Sequence, residues 1–150
     1  MSVSPVVELE RVGKTYYTGA VETPVLFDVS CSIMPGEFVA IVGGSGSGKT
    51  TLLNLMGLLD RPTAGTIRVE SLDVSGFDEL ARAGVRRDRL GFIFQFHYLL
   101  PEFTVLENAL MPCRMRSREF EQTQESRMRE LLGAVGLDDK IKARPAQLSG

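Results

Sequence analysis

Gly43-Gly44-Ser45-Gly46-Ser47-Gly48-Lys49-Thr50 fits the pattern G-x-x-x-x-G-K-[ST], the spelling of a phosphate-binding loop. The apolar run Phe38-Val39-Ala40-Ile41-Val42 precedes it and reads as a buried parallel strand. Thr51-Leu52-Leu53-Asn54-Leu55-Met56 follows, built of good helix formers. Strand, glycine turn and helix in that order are the context in which the pattern has a mechanism. Glycines let the main chain curl until several N–H groups point inward, leaving an anion cradle too tight for side chains. The helix opening near Lys49 adds its positive dipole end and its unpaired N–H groups. On this reading the Lys49 ammonium reaches the β- and γ-phosphates, the Thr50 hydroxyl ligates Mg²⁺ and Thr51 donates to the α-phosphate. The plain alternative is a flexible glycine turn that happens to precede Lys-Thr, and two correct flanks argue against it. The stretch reads as a nucleotide site.

A chain of 150 residues is long enough for one domain with a real core. Apolar and charged fractions of 43% and 24% are those of an ordinary globular chain. Seventeen basic residues against 19 acidic ones leave a net charge of −2, which gives no bulk argument for binding nucleic acid or lipid. The first ten residues lack a basic start and a long apolar centre, so no secretory signal is legible. No apolar run reaches the ~18–20 residues that span a bilayer. Cys31 and Cys113 form no metal-spaced pair; Cys31 lies in an alternating stretch and reads as a buried reduced thiol, which fits a cytoplasmic compartment.

Around the loop, residues 7–12 alternate apolar and polar as a half-exposed strand, and 16–19 read as a turn. Residues 25–33 form another strand with Leu26 or Phe27 facing a core, and Pro35-Gly36 turns the chain into 38–42. The helix after the loop, apolar on nearly every side, is expected to be buried. It ends near residues 57–60, with Arg61-Pro62-Thr63-Ala64-Gly65 as a stop. A short strand at 66–69 and a polar helix at 78–87, capped by Ser75 or Asp78, come next. Leu90-Gly91-Phe92-Ile93-Phe94 reads as a second core strand ending at Gln95. The polar, aromatic and proline residues after it mark a loop at a strand's carboxyl end, where ligands sit in open α/β sheets. Helices are expected at 105–111, with Thr104 and Glu107 as a capping box, and at 118–134. The second presents Phe120, Met128, Leu131, Leu132 and Val135 on one approximate face, interrupted by Gln124, and ends at Gly136. The chain stops at Leu148-Ser149-Gly150, as a piece of a longer protein would.

Phosphate loop, a Gln after an apolar strand, a helical insert and then Leu-Ser-Gly together resemble the nucleotide-binding domain of ABC transporters, over essentially the whole chain. Residues 91–108, GFIFQFHYLLPEFTVLEN, look most like the ATPases of lipoprotein-releasing (Lol-type) transporters, with macrolide-exporter and cell-division ATPases as near relatives. The resemblance implies an α/β P-loop NTPase fold with an antiparallel β lead-in and a helical subdomain. The division falls at about 1–95 for the core with its β subdomain and 96–150 for the Gln95 loop and helices. It implies that Tyr16, in Gly13-Lys14-Thr15-Tyr16, stacks on adenine, with Tyr17 as fallback; without the family, a turn tyrosine is the ordinary reading. Gln95 then helps hold Mg²⁺ and the attacking water, and senses the membrane partner. Leu148, Ser149 and Gly150 begin the signature that contacts the γ-phosphate bound to a second copy in a head-to-tail dimer. The Walker-B Asp, the catalytic Glu and the switch His of the family fall after Gly150, so nothing here is assigned those roles.

The resemblance thus implies an ATP- and Mg²⁺-dependent motor, peripheral on the cytoplasmic face of a bacterial inner membrane, working through integral membrane subunits. His97 reads as a loop residue, because the family's catalytic histidine lies beyond the signature. Arg82, Arg86, Arg87, Arg89, Arg114, Arg116 and Arg118 are interleaved with acids and read as a solvated face, with no nucleic acid expected. A non-transport ATPase of the same fold acting on DNA is the competing class, though no coiled coil or tandem domain is visible. A small-molecule kinase explains neither Gln95 nor the final Leu-Ser-Gly.

Overall fold

The computed structural model describes residues 4–148. Two compact units divide the chain, Met1–Phe92 and Ile93–Gly150.

In the first unit, β1 (Val7–Thr18) and β2 (Val21–Ile33) form a long antiparallel hairpin. β3 (Ala64–Val69) pairs with the other edge of β1, and β4 (Leu72–Asp73) with β3, giving the sheet order β2-β1-β3-β4. Both hairpin strands outrun the sequence expectation. Tyr16, Tyr17 and Thr18 are paired with Thr23, Glu22 and Val21 instead of turning, and the reversal falls at Gly19-Ala20.

A bulge sets the phase of β1. Simple alternation after Leu9 would send Arg11 inward, but the register shifts between Leu9 and Val12, where Arg11 adopts φ 53°. Val12 and Lys14 are therefore buried and Arg11 is exposed. Gly65 allows this kink, since a Cβ there would lie 2.3 Å from the Arg11 carbonyl oxygen. Leu9, Val12, Leu26, Ile67 and Val69 of the sheet then pack with Val74 and with Leu55 and Leu58 around the following helix. Leu26, not Phe27, is the core residue of its pair, with Phe27 72% exposed.

That helix, α1 (Lys49–Met56), buries one side only. Leu55 is sealed, whereas Leu53 and Leu59 remain exposed, so the expectation of burial all round is corrected. The two runs expected as core strands are corrected likewise. Residues 38–42 and 90–94 make no strand ladder, and Phe38, Val42 and Ile93 are almost fully exposed. An apolar run becomes a strand only when another lies alongside it, and no described strand does; the only sheet among the described residues is the four-stranded antiparallel one.

α2 (Glu79–Arg89) starts where Asp78 accepts from the Ala81 amide, which decides between the two expected caps; Ser75 instead accepts from the Ile67 amide. Its arginines are only partly the solvated face expected. Arg82 is 7% exposed and pairs with Glu79, which Arg86 also reaches at 2.8 Å.

In the second unit, α3 (Val105–Arg116) and α4 (Arg118–Ala134) form an antiparallel hairpin around Ser117, which closes one helix and caps the next by accepting from Phe120. The Thr104–Glu107 capping box forms as expected. α3 runs on through Pro112 to Arg116, beyond the expected end at 111. Asn108 fastens the preceding loop, accepting from the Leu100 amide and donating to the carbonyls of Leu100, Phe103 and Thr104. On α4 only Leu132 is fully buried, and Leu131 and Val135 face out. Gln124 continues the half-buried line of Phe120 and Met128 and does not interrupt it. Leu137 and Gly136 donate to the carbonyls of Leu132 and Gly133, which stops the helix.

Candidate phosphate-binding site

The loop 43–48 leads directly into the first turn of α1. Gly48 is its N-cap at φ 86°, a left-handed conformation that favours glycine. An added Cβ would also meet Leu26 Cδ2 at 2.8 Å and the Val25 carbonyl oxygen at 3.3 Å. The loop is thereby seated on β2.

The donors of this loop are open. Among the described residues, the amides of Gly46, Gly48, Lys49, Thr50 and Thr51 have no protein acceptor, and only Ser47 turns back, to Gly44 at 3.3 Å. Lys49 folds over the loop, its Nζ donating to the carbonyls of Gly43 at 2.9 Å and Gly44 at 2.6 Å. Two of three ammonium protons are thus held at the loop's mouth, beside a set of unpaired N–H groups at a helix start. Such an arrangement suits an anion with several oxygens. Thr50 is exposed on the same turn.

Tyr16 stands beside α1, with a polar cluster that sequence reasoning missed. Lys14 Nζ donates to Asp60 Oδ1 at 2.6 Å and to the Arg61 carbonyl at 2.8 Å, and the Tyr16 hydroxyl donates to Asp60 Oδ2 at 2.9 Å. Burial would raise the Asp60 carboxyl, but hydrogen bonds from Lys14, the Arg61 amide and Tyr16 bring it below its ordinary range. Burial raises the Tyr16 phenol, the Thr51 hydroxyl opposes, and the Asp60 carboxylate adds to the rise. The available signal was the spacing of Lys14 and Tyr16, two apart on a strand, together with a carboxylate directly after the helix. Alone, neither points to the other.

The first unit therefore gathers Tyr16, residues 43–50 and Thr51 on and around α1. Gln95 belongs to the second unit, where it is exposed and makes no hydrogen bond among the described residues. His97 accepts from the Leu99 amide at 3.2 Å, which suits a loop role. Leu148 follows a short 3-10 turn, Pro145–Gln147, while Ser149 and Gly150 lie outside the described residues. Among the described residues no three His, Cys, Asp or Glu side chains converge as a metal site.

A glycine loop with open amides and a lysine on the start of a helix defines a P-loop nucleotide-binding protein. The family profile described as ABC transporter matches residues 26–150, and the chain belongs to that family. It is 46% identical over 147 residues to the "Lipoprotein-releasing system ATP-binding protein LolD" of Hahella chejuensis, and 48% identical to the protein of that name from Anaeromyxobacter dehalogenans. Each alignment takes in 98% of this chain, which spans 63% and 62% of those relatives. Among solved structures it resembles the dimeric ATP-binding cassette MJ0796 in a post-hydrolysis state bound to ADP and Pi. The TM-score is 0.83 at 37% identity, over 95% of this chain and 63% of that one. The fold is thus that of an ABC ATPase cassette, in the part this chain spans.

Proposed function

We propose that this chain forms the nucleotide-binding part of an ATP-hydrolysing subunit of a lipoprotein-releasing transporter. The observation that carries the reading is the set of unpaired amides from Gly46 to Thr51 under the Lys49 ammonium. Binding of MgATP exchanges the Gly43 and Gly44 carbonyls for the β- and γ-phosphates as partners of Lys49, while the amides take the remaining phosphate oxygens. Mg²⁺, when bound, would take the Thr50 hydroxyl oxygen, and Gln95 is given its part in holding the metal and the attacking water by the family resemblance alone. Tyr16, or failing it Tyr17, stacks on the adenine. Leu148, Ser149 and Gly150 act on the nucleotide of a second copy, in a head-to-tail dimer.

Work comes from differential affinity: ATP favours the closed pair over the open one, and hydrolysis reverses the preference. The Gln95 segment conveys that closure to integral membrane subunits, which handle the lipoprotein, so the chain sits peripherally on the cytoplasmic face of the inner membrane. Among the described residues no helix is long and apolar enough to cross a membrane. The relatives named for lipoprotein release favour this cargo over macrolide export or cell division.

A DNA-acting ATPase is disfavoured by its charges. Among the described residues Arg82 and Arg86 are committed to Glu79, Arg87 to Asp88, Arg89 to Glu70 and Arg114 to Glu121, while Arg116 lies over the Phe120 ring, so most of these cations are already partnered. The test is ATP turnover by the full-length protein with and without its membrane subunits, and with duplex DNA. Stimulation by the membrane subunits supports the reading, and stimulation by DNA alone overturns it.

A further inference from the structure

Tyr16 lies near the end of a strand and is 38% exposed, yet its ring is not free to rotate. The hydroxyl is fixed by Asp60 Oδ2 at 2.9 Å, and the Lys14 ammonium sits 4.7 Å from the ring centroid. Lys14 is 7% exposed, so this cation over the ring is largely dehydrated. Three further bonds hold the holders. Lys14 also donates to the Arg61 carbonyl, the Arg61 amide donates to Asp60 Oδ1, and the Asp60 amide donates back to Asn54 within α1. The bulge at Arg11 makes the arrangement possible, because it turns Lys14 and Tyr16 to the side where Asp60 lies.

We propose that Lys14 and Asp60 are positioning residues that turn Tyr16 into a rigid, single-faced stacking surface for a purine base. Lys14 occupies one face of the ring and leaves the other to the ligand. Asp60 fixes the tilt. Because Asp60 is anchored to Asn54, the surface and the phosphate loop are referenced to the same eight-residue helix. The distance from base to phosphates is set during folding, and the ordering cost of a tyrosine side chain is not incurred on binding. This inference rests on the reading of Tyr16 as the base-stacking residue.

The experiment compares affinities for MgATP and for Mg-tripolyphosphate, which carries the phosphates without the base, in the full-length protein. Tyr16→Ala tests the platform itself and is expected to weaken MgATP on the order of tenfold. Lys14→Met and Asp60→Asn are expected to weaken MgATP roughly fivefold and to leave tripolyphosphate within about twofold. Tyr16→Phe keeps the ring and removes the hydroxyl that bonds Asp60 and meets the Thr51 hydroxyl. It is expected to show a smaller base-selective loss, about threefold, even should the other two variants fail to fold. If Tyr16→Ala selectively weakens MgATP while Tyr16→Phe, Lys14→Met and Asp60→Asn bind it as the parent does, the positioning role is overturned and the platform stands. If Tyr16→Ala binds MgATP as the parent does, the platform reading itself is overturned. Equal losses for both ligands mark a structural role and overturn the inference.

Discussion

Gly48 lies against Leu26: a Cβ on the glycine would come within 2.8 Å of the leucine Cδ2. The contact joins the start of α1 to the middle of β2, and Leu26 is itself 8% exposed in the core. Gly48→Ala is therefore expected to cost about 1–2 kcal/mol from the left-handed backbone alone. Urea unfolding measures that loss, and tripolyphosphate affinity is expected to fall with it as the loop lifts from its seat. Unchanged stability together with unchanged affinity would show that this contact does not shape the loop.

Lys49 donates only to loop carbonyls and supports no element of the core. Lys49→Ala is expected to change stability by less than about 1 kcal/mol, while ATP turnover in the full-length protein falls by at least about a hundredfold. Turnover at the parent rate in that variant would refute the site assignment.

The Asp60 carboxyl is held below its ordinary value by Lys14, the Arg61 amide and Tyr16, against the opposing effect of burial. A carboxyl depressed in the folded state stabilises fully above the unfolded value of ~3.9 and loses that contribution as pH falls through the folded one. The unfolding free energy of the parent is thus expected to drop more steeply below about pH 4 than that of Asp60→Asn. Urea midpoints of the two proteins between about pH 2 and 5 make the comparison. Parallel curves would count against the ion pair.

Thr104 and Glu107 close the start of α3 reciprocally, and the Thr104 amide and hydroxyl hold the Glu107 carboxyl below its usual range. Thr104→Ala is expected to destabilise the second unit by about 1 kcal/mol. Hydrogen exchange at the first turn of α3 reads it locally, and protection unchanged from the parent would remove the cap from the account.

Local rules made a good part of this chain legible. The helix after the loop and the caps at Asp78 and Thr104 depend on neighbours a few residues away. The hairpin was visible as alternation, but its phase was not. The bulge at Arg11 depends on Gly65, which lies 54 positions later, and on the Ser30 hydroxyl accepting from the Arg11 amide. Lys14 and Asp60 went unnoticed for the same reason, being 46 residues apart.

From its residues alone the chain declared an anion-binding turn on a helix, because N–H groups, glycines and a lysine in one short stretch need no distant partner to become a cradle. Tertiary structure alone decided which residues surround Tyr16, and among the described residues it set no strand ladder along 38–42 or 90–94. Apolar composition expresses a preference for burial, but a strand is a set of hydrogen bonds to a second strand, and only the folded chain determines whether one lies alongside.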